Sequence, residues 1–277
     1  MSMTPSNLPI IPKIKRDTLI TLLSRNTRID GRKLHDFRPI KIELNYIPKA
    51  EGSALVRLGN TVVLVGIKCE IGTPFLDTPN EGVLTVHAEF VPLASPTFEP
   101  GPPDENAIEL ARVIDRSLRE LKVIDLSKLA IIPGKKVWIT WVDIYILNHD
   151  GNLIDASMLA SMAALLITKM PKVVIEGEEV KIIRDQKEEP LPITNRVVTV
   201  SVGKIGDFMI IDPTAEEEQL LDVKLVISVS RDGKIAGMQL TGLGSLKIEE
   251  VHKAIELALD KAMDLHKVLE EVIPPSK

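Results

Sequence analysis

The most concentrated cationic feature of the sequence is a set of three arginines, Arg112, Arg116 and Arg119. On an α-helix these residues fall within about 60° of one another and form one stripe. Guanidinium groups in such a stripe can bind the phosphates of a nucleic acid. The alternative is that Glu109 pairs with Arg112 and Asp115 with Arg119, contacts worth only about 0.2 to 0.5 kcal/mol each. We favour phosphate binding, and the alternative stays open.

A second candidate for chemistry is the acidic segment from Asp212 to Glu218. Paired carboxylates can place a metal ion or a proton donor on a leaving oxygen. The simpler interpretation is structural: Asp212 stabilises a turn before Pro213, while Glu216, Glu217 and Glu218 form a solvated acidic loop. On that interpretation Asp212 lies near the surface, and its replacement by alanine changes activity little.

Disulfide and zinc chemistry are not indicated. The single cysteine, Cys69, lies in an apolar, strand-like run, which predicts a buried thiol and excludes an internal disulfide framework. The histidines have no Cys or His neighbours at metal-ligand spacing, so we expect no zinc site held by this chain. The five histidines are His35, His87, His149, His252 and His266.

Composition limits the class of protein. The chain has 277 residues and is 44% hydrophobic, which suits two modest domains with a sizeable core. Its net charge of −5 argues against a free-standing nucleic-acid binder, so any such contact must use a local patch. No apolar run approaches the roughly 20 residues that span a bilayer. The N-terminal residues, broken by prolines, lack a signal-peptide core, and we expect a cytoplasmic protein.

Periodicity in the first half of the chain predicts strands followed by helices. Gly59-Asn60 suits a tight hairpin turn, and the proline-rich stretch from Pro92 to Pro103 is typical of a loop. The predicted elements are a helix at 14–26, strands at 55–58, 61–68 and 83–90, a helix at 104–122, a strand at 136–147 and a helix at 154–169.

The second half repeats this order at a smaller scale, with Ser245 as the expected N-cap of the closing helix. Residues 185–195 are charged and broken by prolines, which indicates a linker. The predicted strands are 196–202, 208–211, 222–229 and 234–240, and the predicted helix is 246–272. The resulting division is an N-terminal arm and helix at 1–27, a first domain at 28–184, a linker at 185–195 and a second domain at 196–277.

Three stretches together resemble the RNase PH family, which includes the core repeats of polynucleotide phosphorylase and the ring subunits of the exosome. The first is Arg28–Arg32 followed by Ala50–Val65, the second is Arg112–Arg119, and the third is Asp212–Glu218. The similarity extends from about Arg28 to the closing helix. It implies an α+β fold with two RNase PH-type domains, a ribosomal S5 domain 2-like core followed by a smaller α+β domain.

The resemblance also implies where phosphate would bind. Active members hold it with a Gly-Thr-Arg-Thr turn at the start of a helix, where N–H groups, hydroxyls and a guanidinium converge on the anion. This chain has Gly151-Asn152-Leu153-Ile154-Asp155 there. Leu153 and Ile154 replace the hydroxyl and guanidinium donors, and we expect Asp155 to place a negative charge nearby. A like-charge pair at roughly 4 Å costs on the order of 4 kcal/mol at an effective dielectric constant of 20.

The carboxylate pair is also altered relative to the family. Asp212 occupies the position of the first family aspartate, but Glu218 stands where the second aspartate is kept. The extra methylene of a glutamate shifts its carboxylate by about 1.5 Å, and a displacement of about 1 Å in a catalytic group can cost about 100-fold in rate. Both changes predict a non-catalytic chain. The alternative is that the chain is itself an active phosphorolytic 3′–5′ exoribonuclease.

The similarity finally implies a place in an archaeal exosome, a ring that degrades RNA from its 3′ end by phosphorolysis. There the chain would alternate with a catalytic RNase PH-like partner, three copies of each, beneath cap subunits with S1-type domains. It would bind single-stranded RNA through Arg112, Arg116 and Arg119, because the related helix in polynucleotide phosphorylase faces RNA. We expect no membrane contact and no cofactor bound by this chain, with phosphate and Mg²⁺ held in the partner's active site.

Overall fold

A computed structural model describes residues 13–176 and 179–273. The helices are α1 Lys13–Ser24, α2 Glu105–Glu120, α3 Leu153–Ile167, α4 Ala215–Glu218 and α5 Ile248–Val272. The strands are β1 Ile40–Leu44, β2 Gly52–Leu58, β3 Thr61–Gly72, β4 Val83–Phe90, β5 Ala130–Ile132, β6 Lys136–Asn148, β7 Lys169–Glu176, β8 Glu179–Pro190, β9 Val197–Ile205, β10 Phe208–Ile211, β11 Val223–Ser230 and β12 Ile235–Gly242. The expected α+β fold is confirmed.

The first half of the chain forms a mixed six-stranded sheet. Its order is β1-β2-β3-β6-β4, with the short β5 paired to β6. Only β4 and β6 run parallel among these pairs, and the loop and helix between them make the crossover that parallel strands need. Gly59 has a φ of +58°, as the predicted hairpin turn between β2 and β3 requires.

Helix α3 is the structural centre of the molecule. It is enclosed on all sides, and all its residues from Leu153 to Leu165 are buried. One side contacts β2 and β3, and another contacts β9 of the second sheet, whose order is β10-β9-β11-β12. Its alanines and serines allow both sheets to approach closely. The two halves therefore share one hydrophobic core, to which α5 adds its apolar face.

The predicted linker at 185–195 is wrong for residues 185–190, because these form the end of β8. Strand β8 pairs with β7 in a separate two-stranded sheet, in which Met170 faces Glu189 and Lys169 faces Pro190. A charged, proline-broken sequence is compatible with a strand there because both strands are edges and the proline closes the strand. The segment between β8 and β9 is therefore only 191–196.

The helices nearest the two ends of the chain confirm one prediction and correct another. Helix α1 confirms the predicted N-terminal helix, whereas the first twelve residues of the expected arm lie outside the described part of the chain. Ser245 is not the N-cap of α5; the cap is Lys247, whose backbone N–H donates to the Glu250 carboxylate at 2.8 Å. The carboxylate at the third helical position satisfies an N–H group at the helix start, so a serine cap is not needed.

Cys69 is fully buried in β3, as predicted. No helix within residues 13–176 and 179–273 is long and apolar enough to cross a membrane.

Candidate functional site

Asp212 lies at the centre of a buried ion cluster between the two halves of the chain. It follows β10 with a φ of +52°, and none of its surface is exposed. Its carboxylate accepts hydrogen bonds from Arg38 Nη2 at 2.7 Å, Arg38 Nε at 2.9 Å, Arg32 Nη1 at 3.0 Å and Asn152 Nδ2 at 2.8 Å. Burial by itself would lower the pKa of Arg38, but the hydrogen bond and charge of Asp212 raise it overall. The Arg38 guanidinium therefore stays protonated.

This environment corrects the expectation for Asp212. We predicted a turn residue near the surface, and that placement is wrong because the carboxylate is enclosed by two arginines and an amide. Removing it would leave the guanidinium of Arg38, which is 6% exposed, without its main partner. Unpaired buried charges are strongly destabilising. The missed signal was the group of arginines just after the first helix, Arg28, Arg32 and Arg38.

Glu217 also departs from the sequence interpretation, which placed it in a solvated loop. It is 1% exposed and forms a two-pronged ion pair with Arg28, through Arg28 Nε to Glu217 Oε1 at 2.9 Å and through Arg28 Nη2 to Glu217 Oε2. Glu217 also closes a capping box with Thr214 at the start of α4. Its exposed neighbour Glu216 does fit the prediction. Periodicity cannot reveal a single inward carboxylate in an acidic run.

Glu218, at the second family carboxylate position, is paired within the chain. Its carboxylate lies 2.9 Å from the Lys224 ammonium on β11, and both side chains are 20% exposed. Burial alone would lower the pKa of Lys224, but the nearby charge of Glu218 raises it overall. The carboxylate of Glu218 is thus paired with an ammonium group of the same chain.

The start of α3 lacks the anion-binding side chains expected of an active family member. Leu153 and Ile154 are 9% and 8% exposed and belong to the core. Gly151, with a φ of +81°, packs so tightly that an added Cβ would lie 2.4 Å from the carbonyl carbon of Thr214. The Arg38 guanidinium touches this turn, but it donates to the carbonyl oxygens of Asp150 at 2.6 Å and Gly151 at 3.2 Å.

Asp155 is fully buried, and its carboxylate contacts the turn through the side chain of Asn152. Its carboxylate points into the core and accepts hydrogen bonds from the Ser201 N–H at 2.8 Å, the Ser201 hydroxyl at 3.0 Å and Asn152 Nδ2 at 2.9 Å. Burial raises the pKa of Asp155 to about 6, against the lowering effect of these donors. Its partner Ser201 lies on β9, so Asp155 connects α3 to the second sheet.

The arginine stripe lies on α2 as predicted. The helix begins after its N-cap Asp104, whose carboxylate accepts the Ala107 N–H at 2.8 Å, and its apolar side is buried against β4 and β12. Arg112, Arg116 and Arg119 are exposed. The helix therefore presents all three guanidiniums to solvent from a firmly packed base.

The three arginines differ in their contacts. Arg119 pairs with Asp115 at 2.8 Å and also donates to the carbonyl oxygen of Leu84. Arg116 makes one long contact, 3.5 Å to the Gln239 side-chain oxygen. Within the described ranges Arg112 has no ion pair, so the alternative pairing with Glu109 is absent there. Arg112 and Arg116 thus keep most of their hydrogen-bonding capacity for a ligand.

The site as a whole has few features of a metal centre. In the part of the chain that the structure describes, no group of three or more His, Cys, Asp or Glu side chains is arranged to hold a metal ion. The acidic segment instead forms internal ion pairs with Arg28, Arg32, Arg38 and Lys224.

Comparison with known proteins identifies relatives of both halves. The 3′ exoribonuclease family matches twice, with its domain 1 at residues 36–171 and its domain 2 at residues 195–261. Exosome complex component Rrp42 of Sulfurisphaera tokodaii is 55% identical over 273 residues, covering 99% of each chain. Exosome complex component Rrp42 of Aeropyrum pernix is 53% identical over 276 residues, covering 99% of this chain and 100% of that one.

Solved structures give the same result for the fold. The Archaeoglobus fulgidus exosome with RNA bound to the active site contains a chain that is 45% identical, with a TM-score of 0.83 over 92% of this chain and 97% of that one. A chain of an archaeal exosome core is 41% identical, with a TM-score of 0.81 over 93% and 97% of the two chains. The rice protein Rrp46, at 20% identity and a TM-score of 0.68, shares the fold.

Proposed function

This chain belongs to the 3′ exoribonuclease family, also called the RNase PH family, and we propose that it is a non-catalytic ring subunit of an archaeal exosome. Its high identity to Rrp42 components along nearly the whole chain supports the assignment to this assembly. Its similarity to ring chains of exosome structures, one of them with bound RNA, supports a role in RNA degradation.

The observation that carries the non-catalytic role is the internal occupation of the degenerate site. Asp212 is bound by Arg32 and Arg38, and Glu218 is bound by Lys224. Phosphorolysis needs carboxylates that face the reacting phosphate and donors that hold it. Here the carboxylates are paired with the chain's own cations, and Leu153 supplies no donor at the start of α3.

The remaining role is to bind RNA and to support the active site of a partner. In this arrangement the chain alternates with a catalytic RNase PH-like subunit, three copies of each, and S1-domain cap subunits lie on the ring. In such a ring each active site can be built at a subunit boundary, so a non-catalytic chain is still required to complete it. The phosphate and any Mg²⁺ belong to the partner's site, and the assembly works in the cytoplasm.

The arginines of α2 are the proposed RNA contacts of this chain. They lie on a rigid helix of an otherwise acidic protein, with Arg112 and Arg116 largely uncommitted. Guanidinium groups bind phosphates bidentately and displace counterions, which makes a local patch effective in spite of a negative net charge.

The test is phosphorolysis by the purified chain, alone and with its catalytic partner. Given oligoadenylate, Mg²⁺ and phosphate, the chain alone should release no nucleoside diphosphate, whereas addition of the catalytic subunit should produce phosphate-dependent degradation. Robust release by the chain alone would instead support the alternative, an independently active phosphorolytic exoribonuclease.

A further inference from the structure

A surface groove of about 700 Å³ lies at one end of the six-stranded sheet, outside the α2 stripe and the acidic segment. It is formed where the loop after β1, the β2–β3 hairpin and the end of β6 meet. The polar and aromatic residues that line it are Tyr46, Arg57, Asn60, Asn148, His149 and Asp150. Its volume falls in the range of about 300 to 1,000 Å³ that is typical of small-molecule sites.

The floor of the groove is apolar and belongs to the sheet face away from α3. Ala54 and Val56 of β2 point into the core beneath α3, and side chains alternate along a strand, so Leu55 and Arg57 point to the opposite face. Arg57 is directly opposite Val62 on β3, which also lines the groove. The groove therefore combines an apolar base with a guanidinium at its edge.

Two aromatic rings line the groove, and they differ in how they are held. Tyr46 is 47% exposed, and its side chain has no hydrogen bond within the described ranges. His149 is fixed from behind by a stacked contact with Phe98, with ring centroids 5.5 Å apart and planes inclined by 16°. Burial lowers the pKa of His149, which keeps the imidazole neutral near pH 7 and suited to stacking. The His149 ring is thus held in place by the protein, whereas the exposed Tyr46 side chain is free to reorient.

The remaining polar groups of the groove can form hydrogen bonds to a base or an ion pair with a phosphate. Arg57 is 46% exposed and lies 3.8 Å from its only close acidic neighbour in the described ranges, Glu43, so its guanidinium is weakly committed. The side-chain amides of Asn60 and Asn148 offer donors and acceptors, and Asn148 Nδ2 donates to the Asn60 carbonyl oxygen at 2.6 Å. The one carboxylate, Asp150, lies 3.5 Å from Arg38 and is partly neutralised by it.

From this arrangement we propose that the groove binds one unstacked nucleotide of single-stranded RNA, with Tyr46 and His149 as stacking surfaces for the base and Arg57 as a phosphate contact. Splayed bases of single-stranded RNA are recognised by stacking on Tyr and His rings and by hydrogen bonds to their edges. Stacking on an aromatic side chain is worth about 1 to 3 kcal/mol per base. The proposal rests on the proposed function, since it extends the RNA path of the same subunit.

The groove is connected to the α2 stripe through the chain. The His149 N–H donates to the Ala94 carbonyl oxygen at 3.1 Å, and its ring stacks on Phe98, so the loop that leads into α2 holds this wall. The end of β6 also continues directly into the Gly151 turn. The loop that leads into α2 therefore also supports the His149 side of the groove.

The experiment uses the ring reconstituted with its catalytic partner, without phosphate so that RNA is not degraded. Single-stranded oligouridylate carrying one 5-iodouridine is bound and irradiated, and the crosslinked peptide is identified. We expect crosslinks at Tyr46 or His149, loss of the Tyr46 crosslink in Tyr46→Ala, and normal RNA affinity in Tyr46→Phe. Arg57→Ala should shallow the log–log salt dependence of RNA affinity by about 0.7.

Lys68→Ala is the matched control, because it removes one positive charge from the same sheet face outside the groove. Lys68 is 53% exposed and pairs with Glu70, and its replacement should leave the salt dependence unchanged. An unchanged salt dependence in Arg57→Ala, with crosslinks only elsewhere, would overturn the proposal. Failure of both Tyr46→Ala and Arg57→Ala rings to assemble would assign the groove to a protein contact and also overturn it. If the wild-type ring binds no RNA, the proposed function itself fails.

Discussion

Asp155 is a carboxyl group with no exposed surface, enclosed between α3 and β9. Desolvation favours its neutral form, whereas the Ser201 and Asn152 donors favour its ionised form. Desolvation dominates, and it raises the pKa of Asp155 from 3.8 to about 6. The unfolded chain therefore loses this proton at a lower pH than the folded chain does. Stability contributed by the protonated group must fall as pH rises between these two values.

Asp155→Asn tests this coupling. The variant lacks the titrating group, so the difference in unfolding free energy between wild type and variant should shrink by about 2 kcal/mol as pH rises from 4 to 7. Wild type should show its greatest advantage at pH 4. The measurement is urea unfolding of both proteins across this pH range, in which the other carboxylates cancel. A difference that stays constant with pH would mean that Asp155 keeps an ordinary pKa because its three donors compensate for burial.

The two sides of helix α2 have different roles, since one side packs on the sheets and the other is exposed to solvent. The buried side, with Ile114 and Leu118 almost inaccessible, is anchored on the sheets, and Ser117 Oγ lies 2.7 Å from Ser228 Oγ on β11. The exposed side carries the arginines. Substitutions on the exposed side should therefore leave the helix and the ring intact, which permits a clean test of RNA contact.

Replacement of Arg112 and Arg116 together by alanine should weaken binding of single-stranded RNA in the intact ring. Two lost phosphate contacts shallow the log–log salt slope by about 1.4, at roughly 0.7 per phosphate. Degradation of long RNA should slow mainly through binding, with turnover at saturating RNA changing less. Arg119→Ala should change the slope less, because Arg119 is already tied to Asp115 and Leu84.

The control for the stripe removes two cations from other surfaces, Arg25 and Lys267, both exposed. This Arg25→Ala, Lys267→Ala variant has the same net charge as the double arginine variant and should keep the wild-type slope. An unchanged slope in the stripe variant would remove Arg112 and Arg116 from the RNA path. Equal slopes in both variants, each shallower than wild type, would indicate a response to net charge alone.

At the scale of the whole molecule, the N-terminal segment is held to the second sheet by buried ion pairs. Arg28 is 1% exposed and, besides its pair with Glu217, donates to the carbonyl oxygens of Ile211 at 2.6 Å and Asp212 at 2.8 Å. Buried ion pairs contribute little net stability relative to apolar packing, but breaking one is costly because a charge is left unpaired. We therefore infer that these pairs fix how the segment before β1 sits on the second half.

Glu217→Gln should lower the unfolding free energy by about 3 to 5 kcal/mol, because the buried Arg28 charge loses its partner. In a double-mutant cycle measured by urea unfolding, the double variant Arg28→Met, Glu217→Leu should lose less unfolding free energy than the single variants Arg28→Met and Glu217→Leu lose in total. Lys68→Ala breaks an exposed pair with Glu70 and should cost no more than about 1 kcal/mol. Additive single effects at positions 28 and 217 would contradict the coupling.

Local patterns in the sequence determined the order of elements, the α+β class and the stripe on α2. The apolar period of α2 and the alternation of β4 depend only on residues a few positions apart, which a sequence displays directly. The family motifs also identified the altered turn at Leu153 and Ile154. These features could be predicted because each is a property of one continuous segment.

Only the tertiary structure decided which charged residues are buried and which residues they form ion pairs with. Glu217 and Arg28 are 189 positions apart, and Asp212 and Arg38 are 174 apart. A carboxylate in an acidic run looks the same in sequence whether it faces solvent or a distant arginine. The groove near Tyr46 likewise combines three separate segments of the chain. Burial and pairing depend on distances that exist only after the two sheets close around α3, so no local pattern could contain them.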